Sequence, residues 1–210
     1  MPDDGVELPI FELPAVILPG ELMPLHIFEE RYKRMIGDCV EQETPFGIVF
    51  RDDEGGARRI GCSARVTQVL EQFDDGRMNV VVAGERPFRV LDRFQAVDYP
   101  AGEVRPIDPD EERGGEDLEA AGLVREAFTE LVEKVSGEPP DVDELAAEDA
   151  YGIAARVELP PETKQRLLEL RSEPERMRTL GNALQALVAA VRSSNEIAER
   201  ARMNGKVIID

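Results

Sequence analysis

The hydrophobic pattern of this 210-residue chain differs between its two halves, and that difference limits what the chain can fold into. Before residue 108 the apolar residues come mostly in short runs interrupted by proline and glycine, as expected for strands and tight turns. After residue 115 they recur every three or four positions, which is the period of a helix face. The stretch 108–115 holds only proline, glycine and charged residues and is predicted to be a linker. We therefore expect a β domain over residues 1–107 and a helical bundle over residues 116–210.

The first half contains seven or eight candidate strands. Turn signals separate them, and the Asp75-Gly76 pair is typical of a tight hairpin. Their number and spacing favour a β-barrel or a sandwich. Pro24 marks its segment as an edge strand or a bulge, because proline cannot donate a hydrogen bond to a strand ladder. The candidate segments are Val6–Phe11, Val16–Leu18, Glu21–Phe28, Phe46–Arg51, Ile60–Phe73, Met78–Ala83, Phe88–Phe94 and Ala96–Val104.

Helical periodicity occurs once in the first half and throughout the second. Between Glu29 and Gln42 the apolar residues occupy one helical face, and Pro45 ends the pattern. In the second half, paired prolines separate about four helices, and Pro161 suits the first position of one of them. Strands followed by helices give an α+β fold class. The candidate helices of the second half are the stripe Val124–Val135, Asp143–Val157, Glu162–Arg171 and a last helix that begins near Pro174.

The charge of the chain argues against several classes of partner. Acidic residues outnumber basic residues by 44 to 25, which gives a net charge of -19. Nucleic-acid-binding proteins ordinarily present a basic face, because phosphate contacts dominate their affinity. The acidic excess is divided evenly between the two halves, so neither half is a hidden basic module. We therefore expect no nucleic-acid partner and no anchoring on an anionic membrane.

Cysteine use and the amino terminus indicate the compartment. The two cysteines, Cys39 and Cys62, are far apart in the sequence and do not form a disulfide framework. This usage is typical of a reducing compartment. The first residues are acidic where a signal peptide is basic, and no apolar run is long enough to span a membrane. A cytoplasmic location is the prediction.

Sequence motifs for catalysis and metal binding are missing. His26 is the only histidine, and its apolar surroundings favour a structural role over a catalytic one. Residues 61–65 resemble a nucleophile elbow, but Arg65 replaces the closing glycine and the segment reads as continuous strand. There is no phosphate-binding glycine loop, and one histidine with two distant cysteines does not make a zinc site. We predict no catalytic residue, no bound metal and no cofactor.

One segment concentrates large apolar side chains. Residues 14–28 hold many of them on strands that proline interrupts, and not all can point inward. Exposed apolar patches often mark a binding site for a partner. The alternative, that these side chains fill the barrel, is equally compatible with the sequence.

The opening of the chain resembles the N-terminal, substrate-binding domain of Lon proteases. The resemblance begins with Leu8-Pro9-Ile10-Phe11, continues through Leu18-Pro19-Gly20, and is most specific in the run from Met23 to Tyr32. Further matches follow in the family's order and extend over nearly the whole chain. They are residues 46–49, 60–62, 75–77, 84–90, 153–155 and 164–169.

This resemblance implies a PUA-like β-barrel joined to a helical bundle, and it implies recognition of proteins. In Lon proteases this domain precedes an ATPase module and a Ser-Lys protease module, and this chain shows neither. It is similar to the stand-alone Lon-domain proteins of bacteria. The implied partners are unfolded or apolar protein segments, and proteolytic machinery is a further candidate. The contact residues, chosen for their size and position, are Leu22, Met23, Leu25, Phe46 and Phe88.

Two other functions are weighed against this hypothesis. A self-contained hydrolase would need a catalytic constellation, and His26 would have to be part of it. An RNA-binding PUA-like protein is compatible with the implied fold, but the net charge opposes it. The oligomeric state is open between monomer and dimer, because the apolar seam from Met177 to Val191 could pair helices within one chain or between two.

Overall fold

Five strands of the first half close into a barrel. The structure is a computed structural model that describes residues 5–96, 98–108 and 117–204. The elements of this half are β1 (Val6–Leu13), β2 (Leu22–Ile27), α1 (Glu30–Gln42), β3 (Phe46–Phe50), β4 (Ile60–Gln72), β5 (Met78–Gln95) and β6 (Pro100–Pro106). Strands β5, β4, β3, β1 and β6 are hydrogen-bonded in that order, and pairing of β6 with β5 closes the ring. The pair β1–β3 is parallel and the other pairs are antiparallel.

Strand β2 lies outside the ring, and among the described strands it pairs only with the first part of β5. The Gly84 amide donates to the Glu21 carbonyl at 2.9 Å, so the backbone of Glu21 faces β5. Backbone direction alternates along an antiparallel strand, which turns the backbone of Pro24 toward the free edge. The missing N–H of Pro24 therefore breaks no bond of the ladder. The prediction of an edge strand at Pro24 is confirmed.

Five helices make up the described second half, where the sequence predicted about four. Asp149 accounts for the difference: its carboxylate accepts a hydrogen bond from the Gly152 amide at 2.8 Å and starts a new helix inside the segment predicted as one. Pro161 is the first residue of its helix, as predicted. The helices are α2 (Leu118–Ser136), α3 (Val142–Ala147), α4 (Ala150–Ala155), α5 (Pro161–Glu169) and α6 (Glu173–Asn204).

The strand predictions differ from the structure in two places. Residues 16–18 are not a strand but a buried irregular segment, which leads into a turn at Gly20. The predicted strands Met78–Ala83 and Phe88–Phe94 are one continuous strand, β5, which a bulge bends between them. Both errors have the same origin. A short β-branched run next to glycine or proline occurs at the end of a strand and also at a bend within one, so the local sequence does not separate the two cases.

The hydrophobic core has two parts. A small cluster of Ile10, Val49, Phe88, Val90 and Val104 fills the interior of the barrel. A much larger cluster combines the outer face of the barrel, α1 and the helical half. The two halves therefore share one core. The division into domains at 1–107 and 116–210 stays a prediction, and the predicted linker 108–115 lies, apart from Asp108, outside the described residues.

Helix α5 fixes the helical half to the barrel. The Gln165 side chain donates to the backbone carbonyl of Ile60, the first residue of β4, at 3.1 Å in a buried position. Next to it, Lys164 forms a largely buried ion pair with Glu21. The second carboxylate oxygen of Glu21 accepts from the Leu18 amide at 2.9 Å. One glutamate thus joins the turn before β2 to α5.

We expect Gly84→Ala to destabilise the protein by about 1–3 kcal/mol, as overpacking does. A Cβ at Gly84 would lie 2.2 Å from the Leu18 carbonyl oxygen, which is backbone and cannot rotate away. Urea unfolding measures the change. Gly122→Ala is the control, because nothing lies within 4 Å of its Cβ and it sits in a helix, where alanine stabilises by about 1 kcal/mol relative to glycine. Equal stability of Gly84→Ala and wild type would contradict the close approach.

We expect Lys164→Met to cost roughly 3 kcal/mol, because it leaves the Glu21 carboxylate buried without its cation. The double variant Lys164→Met with Glu21→Gln should regain part of that loss, since the unpaired charge is gone. A double-mutant cycle in urea measures the coupling. Additive effects of the two substitutions would show that the pair contributes nothing.

Candidate functional site

Strand β2 presents large apolar side chains at both of its ends. Leu22 is 64% exposed at the start of the strand, and Phe28 is 61% exposed just after its end. Met23 and Leu25 lie between them and are partly buried. We call these four residues the β2 surface. Side chains of this size on an edge strand leave apolar area available to a ligand.

The register of β2 with β5 determines which side chains of the β2 surface face solvent. Met23 lies opposite Val82 and Leu25 opposite Val80, and directly paired residues share a face of the sheet. Val80 and Val82 are fully buried, so Met23 and Leu25 turn toward the main core and expose only part of their surface. Leu22 is on the opposite face, toward solvent.

A polar row crosses the solvent face beside these residues. His26 Nδ1 donates to Asn79 Oδ1 at 2.7 Å, and Asn79 Nδ2 donates to Glu71 Oε2 at 3.1 Å. The three side chains come from the neighbouring strands β2, β5 and β4. Among the described hydrogen bonds, the partner of His26 is therefore an amide and not a serine, a cysteine or a carboxylate. This geometry holds the imidazole in place and does not activate a nucleophile.

Aromatic rings extend the β2 surface at its far end. The Phe28 ring stacks on His26 with the centroids 5.9 Å apart, and Phe73 meets His26 edge-on at 6.4 Å. The Arg77 guanidinium lies over the Phe73 ring, 5.1 Å from its centroid. Hydrogen bonding from the Arg77 amide and side chain lowers the pKa of Asp75, so this carboxylate stays charged next to Arg77. Phe28 was not among the predicted contact residues, although it lies in the same run from Met23 to Tyr32.

Two predicted contact residues lie in the core. Phe46 is fully buried on the outer face of the barrel, where its ring packs against Phe11 at a centroid distance of 6.4 Å. Phe88 is 2% exposed and fills the barrel interior, where a Cβ at Gly47 or Gly61 would lie within 3 Å of its ring. The structure brings Leu22, Met23 and Leu25 together on one strand and separates both phenylalanines from them. Neither phenylalanine presents its ring to a ligand at the β2 surface.

Two kinds of feature are absent from the described part of the chain. No group of three or more histidine, cysteine, aspartate or glutamate side chains in it is arranged to hold a metal ion. None of its helices combines the length and the apolar character that crossing a membrane requires.

Several Lon proteases have sequences similar to this chain. Lon protease 1 of Sorangium cellulosum is 30% identical over 215 residues, which cover 90% of this chain and 26% of that protein. Lon protease 2 of Myxococcus xanthus is 27% identical over 205 residues, which cover 90% of this chain and 25% of that protein. The chain thus spans about a quarter of the length of these curated relatives.

Two solved structures share the fold. The Lon N-terminal domain protein from Xanthomonas campestris is 23% identical with a TM-score of 0.61, covering 83% of this chain and 96% of that one. The N-terminal domain of the Mycobacterium avium complex Lon protease is 19% identical with a TM-score of 0.67, covering 86% of this chain and 98% of that one. Similarity at this level of identity identifies the architecture.

The family comparison covers most of the chain. A model of the ATP-dependent protease La (LON) substrate-binding domain matches residues 7–186, which include the barrel apart from Val6, β2 and most of the helical half. The β2 surface lies inside the matched region. The chain therefore belongs to the family of Lon substrate-binding domains.

Proposed function

We propose that this chain binds unfolded or apolar segments of other proteins at the β2 surface and has no ATPase or protease activity of its own. The observation that carries the proposal is the exposure of Leu22 on an edge strand, and of Phe28 just after that strand, in a substrate-binding domain. Burying one such side chain contributes about 1.5–3 kcal/mol. Because association has its own entropic cost, a few contacts of this kind give weak binding that tolerates many sequences. Met23 suits such binding because its side chain adapts to different neighbours.

The free edge of β2 favours recognition through side chains. Pro24 faces that edge and lacks a backbone donor, so an added strand would meet a gap in the ladder. A ligand is therefore held by apolar contact with Leu22 and Phe28 more than by a continuous set of backbone hydrogen bonds. Such contact does not depend on the ligand's exact register.

The two cysteines, Ser63 and His26 are not arranged for hydrolytic chemistry. Burial raises the pKa of the Cys62 thiol to about 12 and also raises the pKa of the Cys39 thiol. The Ser63 hydroxyl accepts a hydrogen bond from the Arg86 amide at 3.2 Å and donates one to the Arg86 carbonyl at 3.4 Å. His26 is bonded to Asn79. Each of these four side chains is thus a neutral thiol or is engaged with a partner that does not activate it.

The family and the cysteines suggest a cellular setting. The named relatives are Lon proteases, so we propose that ligands bound here are connected with proteolytic machinery. Cys39 and Cys62 are both free and buried, which suits the reducing cytoplasm.

We expect the double variant Leu22→Glu with Phe28→Glu to weaken binding of a denatured protein about tenfold, because two charges would be buried against the ligand. Fluorescence titration with labelled, denatured casein measures the affinity. The matched control is Leu118→Glu with Val135→Glu, which adds the same charge at two side chains of α2 that are even more exposed. Equal losses in both double variants would mean that net charge, and not the β2 surface, determines binding.

We expect both thiols to resist modification in the folded protein. A raised pKa keeps a thiol protonated, so the reactive thiolate fraction at pH 8 is far below that of a free cysteine. Reaction with a chromogenic disulfide reagent at pH 8 should be slow in buffer and should reach two thiols per chain in denaturant. Rapid labelling of the native protein would contradict the buried, protonated state.

A further inference from the structure

A second apolar site lies at one end of the barrel. Strands β1 and β3 begin there, and β6 ends there, since Val6 pairs with Val104 and Phe46 pairs with Ala64. The site is a cavity of about 470 Å³, which we call the barrel-mouth cavity. Its size is in the range of ordinary ligand pockets. Its main lining residues are Val6, Leu8, Pro45, Pro87, Phe88 and Pro106.

The cavity has an apolar floor and a rim with few hydrogen-bond donors. Phe88 and Val104 form the floor and are themselves buried. Three prolines stand around it, and a proline offers no backbone N–H to a ligand. The middle of an extended chain would therefore find few partners for its own polar backbone. An apolar group that carries a single anchor fits better.

A β-bulge places such an anchor at the rim. Ala64 pairs with Gly84 and Cys62 pairs with Pro87, so Ser63 on β4 faces two residues of β5, Glu85 and Arg86. The Ser63 hydroxyl accepts from the Arg86 amide at 3.2 Å and fixes the bulge. Bulges redirect side chains and are frequent next to functional sites. Here the bulge sets Arg86 beside the cavity.

The charge available to a ligand is positive. Glu85 and Arg86 are the charged residues that line the cavity. Glu85 is ion-paired with Arg65, with Arg65 Nε 3.0 Å from Glu85 Oε1. Arg86 is exposed, and its guanidinium has no ion pair with any described residue. In a chain of net charge -19, an unpaired arginine beside an apolar cavity is complementary to a carboxylate.

We propose that the barrel-mouth cavity binds the carboxyl-terminal residue of a polypeptide. An apolar side chain enters the cavity, and the terminal carboxylate accepts hydrogen bonds from the Arg86 guanidinium, which matches a carboxylate with two parallel donors. This inference rests on the proposed function, because the ligand is again an unfolded chain. It concerns a different surface, which requires a different feature of the ligand. The β2 surface needs apolar side chains only, whereas this cavity also needs a free chain end.

The test compares two forms of one peptide. A short flexible peptide that ends in leucine, labelled with fluorescein at its amino terminus, is prepared with a free carboxylate and with a carboxyl-terminal amide, and binding is measured by fluorescence anisotropy. We expect the acid to bind about tenfold more tightly than the amide, since a charge-assisted hydrogen bond is lost in the amide. Arg86→Gln should remove this difference. Arg89→Gln, an exposed arginine of β5 outside the cavity, should preserve it.

Other outcomes would overturn the proposal. Equal binding of acid and amide, or an acid preference that survives Arg86→Gln, would show that Arg86 does not hold a carboxylate. Binding of sodium decanoate without binding of the peptide would assign the cavity to a fatty acid instead. Loss of acid binding in the Leu22→Glu, Phe28→Glu variant, with Arg86→Gln unchanged, would place the peptide on the β2 surface. In that last case the proposed function would stand and the inference would fail.

Discussion

The barrel buries apolar side chains in its interior and on part of its outer face, and the rest of the structure depends on that burial. The interior cluster contains five apolar side chains. At about 1.5–3 kcal/mol each, they do not offset the conformational entropy of ordering the strands that enclose them. The outer face supplies the remainder, because α1 and the helical half cover it in one large cluster. Helices and barrel are therefore stable together, and the ion pair between Glu21 and Lys164 lies on that shared boundary.

The same burial explains which parts of the fold the sequence predicts and which it does not. Helix α1 and the edge position of β2 follow from local signals, namely a one-sided apolar stripe and a proline. Every residue of β3 (Phe46–Phe50) is buried, so its sequence shows no alternation that could tell one face from the other. Size alone therefore did not distinguish Phe46 in the core from a surface apolar residue such as Leu22.

Register supplies the information that local sequence lacks. Leu22 and Leu25 are chemically identical, yet pairing with β5 turns Leu25 toward the core and Leu22 toward solvent. That pairing joins residues more than fifty positions apart. The bulge that positions Arg86 is likewise visible only when β4 is aligned with β5. Exposure on a strand is thus a property of two segments, and a single segment cannot specify it.

The pairing of the first and last barrel strands has a kinetic consequence. Val6 lies opposite Val104, so closing the ring requires loop closure over nearly the whole first half of the chain. The β4–β5 hairpin and its neighbour β2 involve shorter loops and do not require that closure. The barrel-mouth cavity has β1 as one wall and β6 as another, so it exists only after the ring has closed. A chain that is still being synthesised can carry the sheet that bears β2 before it can carry the cavity.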